Sequence, residues 1–240
     1  MSQRVDESPD ARDRADAPDP QQLLTALSTE HFTLQGARSQ TMSESSARAS
    51  VYLVAVSSAL VALGFIGQVS ELGHVFFVFA LTMLPTLYLL GVVTFIRLVE
   101  CGAEDFRYGL AINRIRHYYQ EVAGDRANLF LLSGHDDGSG VFANMGLPAE
   151  GRKPYFAFST AIAVINSVVG GAAAALAIDV AVDPPIGLAA GMGGGVALVS
   201  IVGWIMYADR LLDKAALITP LFPSPPEGGT SPSSRGESAA

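Results

Sequence analysis

Four stretches of the chain are long, apolar and free of charged residues, and they constrain the fold more than any other feature. They are residues 51–68, 75–96, 155–178 and 185–207. A bilayer core of about 30 Å needs roughly 20 apolar helical residues, because each residue adds about 1.5 Å. Helices of a soluble bundle usually keep a polar stripe with a 3.6-residue period, which is not visible here. We therefore predict an all-α, polytopic membrane protein with four transmembrane helices arranged as two hairpins.

The composition excludes several other classes of protein. Half of the 240 residues are hydrophobic and only 16% are charged, which argues against a soluble globule. The formal net charge of -8 argues against a nucleic-acid partner, since phosphate binding needs a basic surface. The single cysteine, Cys101, cannot form an intramolecular disulfide and is interpreted as a small apolar residue. The expected partner is therefore the lipid bilayer.

The positions of the cations predict an orientation. All 15 Lys and Arg residues lie before the first stretch, between the second and third, or after the fourth. The two short connections at 69–74 and 179–184 carry only acidic charges, from Glu71, Asp179 and Asp183. Because Lys and Arg beside a span are retained in the cytoplasm, we expect a multi-pass protein of the plasma (inner) membrane with both termini cytoplasmic. No cleaved signal peptide is expected, so the first span serves as the insertion signal.

These patterns divide the chain into six predicted segments. Large apolar residues are scarce in residues 1–18, and residues 219–240 are rich in Pro, Ser and Gly, so both are expected to be disordered. The segments are a disordered acidic tail (1–18), a cytoplasmic helix (19–48), transmembrane hairpin 1 (49–97), a cytoplasmic helical segment (98–154), transmembrane hairpin 2 (155–208) and a cytoplasmic, mostly disordered tail (209–240).

Two cytoplasmic helices are predicted to continue from the spans. Asp19 and Pro20 form a typical helix start, and that helix is expected to run through the Ser-rich stretch into the first span. A second helix leaves the second span and ends at Gly124, and a short helix over 127–132 follows. The helix that leaves the second span carries a coiled-coil-like seam against the first helix, or else its arginines lie on anionic lipid. The seam residues are Leu98, Cys101, Asp105, Tyr108, Ile112, Ile115, Tyr119 and Val122, and Arg107, Asn113, Arg114, Arg116 and Gln120 occupy the other faces.

Small residues recur every four positions in the last two spans. Such spacing places them on one helix face and lets two backbones approach in lipid. We expect these helices to pack against each other or against the same helices of a second copy, and we expect Asn166 to form an interhelical hydrogen bond. The predicted helix-packing residues are Gly170, Gly171, Gly187, Gly191, Gly195 and Asn166.

The sequence offers no residue set for catalysis, a cofactor or a metal. None of the spans contains an ionisable side chain of the kind that coupled transporters use. The four histidines lack helical metal-ligand spacing, and His135-Asp136-Asp137 lies in a Gly- and Ser-rich turn, where solvated polar side chains are expected. No phosphate-binding loop, nucleophile elbow or Cys-x-x-Cys motif is present. We expect a protein that is not an enzyme and binds no cofactor.

Several short runs carry a resemblance to known membrane proteins. They are residues 30–38 (EHFTLQGAR), 48–53 (RASVYL), 57–64 (SSALVALG), 95–98 (FIRL) and 112–119 (INRIRHYY). Over these runs the chain resembles uncharacterised four-span integral membrane proteins of actinobacteria. The order of helix, two-span hairpin and helix over residues 20–122 is also similar to membrane effectors of bacterial anti-phage nucleotide-signalling systems. That resemblance implies an effector role and assigns no functional residue.

Two functions remain open from the sequence. The first is a non-enzymatic membrane protein of effector type that forms homo-oligomers, responds to a cytoplasmic protein partner or signal, and permeabilises the bilayer. The second is a small uncoupled transporter or channel for a neutral solute.

Overall fold

The computed structural model describes residues 19–146, 157–215 and 217–225. Within these ranges the chain forms helices and no β-strand. The elements are α1 (Pro20–Val69), α2 (His74–Ala123), a short 3-10 helix (Gly124–Leu129), α3 (Gly138–Asn144), α4 (Ala157–Val182) and α5 (Ile186–Ala215). Helices α1, α2, α4 and α5 are each long and apolar enough to cross a membrane. The predicted acidic tail 1–18 and the residues at 147–156 and 226–240 lie outside the described ranges.

Helix α1 starts and continues as its sequence predicts. The Asp19 carboxylate accepts a hydrogen bond of 3.2 Å from the Gln21 amide, and Pro20 occupies the first helical position, where a missing N–H costs nothing. The helix then runs without a break through the Ser-rich stretch to Val69. Hydroxyl groups such as that of Ser50 donate to the carbonyl one turn earlier, which keeps them compatible with a helix.

Helix α2 is also continuous over 50 residues, about 75 Å in length. It contains Pro85 in its interior and ends at Gly124, whose φ of +52° is a conformation that favours glycine. The predicted end is therefore confirmed. The following short helix is a 3-10 helix that begins three residues earlier than predicted and ends at Leu129.

Helices α1 and α2 lie side by side and antiparallel. Tyr119 donates to Ser28 at 3.3 Å, Arg38 pairs with Asp105 at 2.7 Å, and Glu44 pairs with Arg97 at 2.9 Å. Most of the predicted seam faces α1 or the bundle interior, since Leu98, Cys101, Asp105, Ile112 and Ile115 are buried and Tyr108 and Tyr119 are half-buried. Val122 is 60% exposed, so the buried seam ends before the helix does.

Two separate apolar cores divide the structure. The larger one joins α1, α2, α4 and α5 around residues such as Tyr52, Leu84, Phe95 and Ile162. We call residues 49–96 and 157–207 the apolar half, and residues 20–48, 97–146 and 208–225 the polar half. The smaller core lies in the polar half and contains Ala103, Phe106, Leu110, Val141, Leu212 and Ala215.

The smaller core corrects the sequence prediction in two respects. Residues 98–146 pack against the end of α5 as well as against α1, because α5 continues to Ala215 and brings Leu212 onto α2 and α3. Asn113, which was expected on a polar face, is 2% exposed because the loop after α2 covers it. Its amide donates to the His135 carbonyl at 2.8 Å.

The His135-Asp136-Asp137 turn and the start of the C-terminal tail are also corrected. Asp136 is only 1% exposed, whereas solvated side chains were predicted. Residues 219–225 were predicted to be disordered, but their backbone forms hydrogen bonds with Asp136 and Asp137. The prediction of solvated side chains was wrong because the partners of this turn are more than 80 residues away in the chain.

Candidate functional site

Helices α4 and α5 approach each other closely at Gly171 and Gly193. A Cβ atom built on Gly171 would lie 2.6 Å from the Gly193 carbonyl oxygen, and one on Gly193 would lie 2.5 Å from the Gly171 oxygen. Real Cβ atoms do not approach backbone oxygens so closely, so only glycine fits at either position. Small residues therefore bring two backbones into direct contact, as expected for helices that meet in lipid.

The neighbouring Gly170 faces a different helix. A Cβ atom at this position would lie 2.6 Å from Cε2 of Tyr88 on α2. Gly170 and Gly171 thus provide close contacts on two sides of α4, one for an aromatic ring and one for a backbone. Both predicted packing glycines of α4 lie at helix contacts.

The predicted glycines of α5 lie elsewhere. Gly187, Gly191 and Gly195 have open space around their Cβ positions and do not contact α4. The reason is geometric, because α5 carries three series of small residues at four-residue spacing and only one of them can face α4. The structure turns the series with Ala189 and Gly193 inward, and both are buried. A contact of Gly187, Gly191 and Gly195 with a second copy stays a prediction.

Asn166 is the polar centre of the apolar half. It is fully buried, and its Oδ1 accepts a hydrogen bond of 3.1 Å from the Tyr52 hydroxyl of α1, which confirms the predicted interhelical bond. On the α2 side its amide lies against Gly91, where a Cβ atom would overlap it. Asn166 Nδ2 and the hydroxyl of the buried Ser167 have no hydrogen-bond partner among the described residues. This arrangement ties α4 to both α1 and α2.

Charged residues concentrate where the polar half begins. The Glu44 carboxylate accepts from Arg97 at 2.9 and 3.1 Å and from Arg48 at 2.8 Å. The hydrogen bond from Arg97, followed by that from Arg48, lowers the pKa of Glu44 to about 2. Arg97 also reaches Glu100 and Glu104 at 3.3 and 3.2 Å. This network links the first polar turns of α1 and α2.

A second ion pair lies further out on the same two helices. Arg38 donates to Asp105 through two nitrogens, at 2.7 and 3.2 Å, and the Asp105 side chain is only 4% exposed. The sequence contained a signal for it, because Asp105 is the one charged residue in an otherwise apolar seam. A carboxylate at such a position requires a basic partner on the facing helix.

The described residues contain no group of three or more His, Cys, Asp or Glu side chains that could hold a metal ion. Burial raises the pKa of the Cys101 thiol, which favours the unreactive protonated form. The arrangement is therefore one of helix contacts and ion pairs. Comparison with models of protein families, with curated proteins and with solved structures found no match.

Proposed function

We propose that the chain is an integral protein of the plasma (inner) membrane, with the apolar half inserted as two hairpins and the polar half in the cytoplasm. Large apolar side chains on the outer surface of the apolar half support insertion. Val54, Val61, Phe65, Leu198 and Val199 are each more than half exposed. A soluble bundle would bury such a surface, whereas lipid covers it at no cost.

We further propose that the protein is a non-enzymatic, effector-type membrane protein that associates through α5. The observation that carries this proposal is the open face formed by Gly187, Gly191 and Gly195. Small residues four positions apart, Gly171 with Ala175 and Gly193 with Ala197, form the contact between α4 and α5, and the open face repeats this spacing. A second copy of α5 is the partner that fits it.

Association can be tested in liposomes by single-molecule photobleaching of the labelled full chain. We expect the wild type to form oligomers as the protein-to-lipid ratio rises, and Gly191→Leu to weaken association at least about tenfold, because its side chain separates the backbones. Gly203→Leu is the matched control, since Gly203 also has open space but lies about 120° around the helix from Gly191. A monomeric wild type, or equal association of both variants, would contradict the proposal.

The polar half is proposed to receive a cytoplasmic partner or signal that controls permeation through the oligomer. It has its own apolar core and extends about 40 Å from the apolar half along α2. Overexpression should then dissipate the membrane potential, measured with a potential-sensitive dye, and Gly191→Leu should abolish the effect. Leakage that persists in this variant counts against a pore formed through α5.

The unpartnered amide of Asn166 and hydroxyl of Ser167 favour a second candidate, an uncoupled channel or transporter for a neutral solute. This function predicts flux through the single chain, unaffected by Gly191→Leu and altered by Asn166→Leu. Uptake of small neutral polyols by proteoliposomes distinguishes the two functions.

A further inference from the structure

Asp136 binds the backbone of a distant segment of the same chain. Its Oδ1 accepts from the Phe222 amide at 2.7 Å and its Oδ2 from the Leu221 amide at 3.0 Å. The Asp136 amide in turn donates to the Phe222 carbonyl at 3.1 Å. Arg114 donates to Oδ2 at 2.6 Å and neutralises the carboxylate, whose side chain is fully buried. These contacts recognise the backbone of the bound segment, which bends at Leu221 and Phe222, rather than particular side chains.

Asp137 adds a contact that depends on sequence. Its Oδ2 accepts from the Ser224 amide at 2.6 Å, and its Oδ1 accepts from the Ser224 hydroxyl at 2.8 Å. The same Oδ1 caps α3 through the Gly140 amide at 2.8 Å, which fixes the carboxylate in place. Serine at position 224 therefore satisfies both oxygens of Asp137.

The bound segment contains two prolines and few N–H groups. Pro223 and Pro225 carry no N–H group and restrict the residues before them to extended backbone. Every N–H group between residues 221 and 225 donates to one of the two carboxylates. The Phe222 ring stacks on His117 with ring centroids 3.7 Å apart and an interplanar angle of 20°. We call residues 219–224 the strap.

The strap can leave without opening a core. The Leu221 side chain is 62% exposed, and Leu217, which precedes the strap, is 79% exposed. Helix α5 is held separately by Leu212 and Ala215 in the smaller core. The strap is attached by hydrogen bonds and one ring contact, so its loss would expose the carboxylates and leave the helices packed.

We propose that Asp136, Asp137, Arg114 and His117 form a binding site for a peptide of Phe-Pro-Ser type, which the strap occupies in the same chain. A partner segment with this chemistry binds by displacing the strap. The site is the place where the polar half receives its partner, and in that respect the inference rests on the proposed function. Displacement frees the segment that follows α5 and leaves α5 packed on α2.

The test uses the full chain in detergent and a fluorescent peptide of sequence Thr-Pro-Leu-Phe-Pro-Ser-Pro with blocked ends. The strap competes at an effective concentration in the millimolar range, so the wild type should bind the peptide weakly. Phe222→Ala with Ser224→Ala weakens the strap and should tighten peptide binding about tenfold or more. Adding Asp136→Asn should abolish binding, whereas Leu221→Ala, which changes only an exposed side chain, should behave as the wild type.

Hydrogen exchange of the same proteins gives a readout that does not depend on the peptide. The amides of Leu221, Phe222 and Ser224 should be protected in the wild type and exchange at least about tenfold faster in Asp136→Asn, with α2 and α5 still protected. The inference is overturned if these amides exchange freely in the wild type. It is also overturned if the peptide does not bind the strap-weakened chain, or still binds after Asp136→Asn. Association through α5 is measured separately, so either proposal can fail alone.

Discussion

Asn166 is held between two helices that come from the first half of the chain. Tyr52 donates to its carbonyl oxygen, and Gly91 leaves the only room for its amide on the α2 side. A buried polar group of this kind fixes the register of a helix, because every displacement leaves it without its partner. One hydrogen bond and one missing side chain therefore help to fix the register of α4 against α1 and α2.

Gly91→Ala tests this arrangement. The added methyl group would overlap the Asn166 amide, so we expect a loss of stability of about 1–3 kcal/mol. Asn166→Ala in the Gly91→Ala background should recover part of that loss, because it removes the overlapping atoms. Thermal unfolding in detergent, followed by the fluorescence of Trp204, measures both. Gly64→Ala, where the Cβ meets no atom within 4 Å, is the control and should be close to neutral.

The two strap carboxylates predict how the strap responds to acid. Burial alone would raise the pKa of Asp136 and of Asp137. Hydrogen bonds from the strap oppose this effect, together with a hydrogen bond from Arg114 to Asp136 and one from Gly140 to Asp137. Their sum lowers both pKa values below the usual 3.8. A carboxyl whose pKa is lowered on folding contributes stability above its unfolded pKa and loses it as the pH falls through the folded value.

Protection of the strap amides should therefore stay constant from about pH 8 to pH 5 and disappear only below about pH 3.8. Hydrogen exchange, corrected for its intrinsic dependence on pH, measures this. A loss of protection around pH 6 would show that a group other than these two carboxylates controls the strap.

At the scale of elements, the outer part of α1 depends on one neighbour. Its contacts with α2 through Ser28, Arg38 and Glu44 account for its position in the polar half. The pair of Arg38 and Asp105 is more buried than the pair of Glu44 and Arg97. Its loss should therefore destabilise residues 20–48 more than the loss of the other pair.

Asp105→Asn should loosen this part of α1. We expect a loss of about 1–2 kcal/mol, less than for a fully buried pair, because Arg38 remains 32% exposed. Amide exchange across residues 20–40 should become faster, while exchange in α4 should not change. Arg48→Ala removes an exposed pair within α1 and should have a clearly smaller effect. Equal effects of the two substitutions would contradict this assignment.

The elements also show what a sequence can and cannot predict. Asp19, Pro20 and Gly124 act through neighbouring residues, so the bounds of α1 and the end of α2 followed from the sequence. The face of α5 that meets α4 could not be predicted from the sequence, because three series of small residues share the same spacing and packing selects one of them. The smaller core and the strap depend on residues more than 70 positions apart, such as Val141 with Leu212 and Asp136 with Phe222. No local pattern reports such pairs.

At the scale of the whole molecule, the separation of charge from apolar surface predicts how the chain sits in a bilayer. Glu71 and Asp183 lie in the two short connections, and their positive φ values of 49° and 47° belong to tight turns. All cations lie at the other end of the spans along the sequence. The two turns should therefore face the outside of the cell.

Cysteine labelling in intact cells measures this topology. In a Cys101→Ser background, Glu71→Cys and Asp183→Cys should react with a membrane-impermeant maleimide. Glu121→Cys, on an exposed position of α2, should react only after the cells are permeabilised. Labelling of Glu121→Cys in intact cells, or protection of both turns, would contradict the proposed orientation.

The unbroken course of α1 and α2 from the polar half into the apolar half has a mechanical consequence. Neither helix has a hinge at Glu44 or Arg97, where the two halves meet. The pair therefore behaves as a stiff lever, and a tilt of about 5° where the two halves meet moves the outer end of α2 by roughly 3.5 Å over its arm of about 40 Å. Conversely, a small displacement at Tyr119 tilts the segments of both helices in the apolar half.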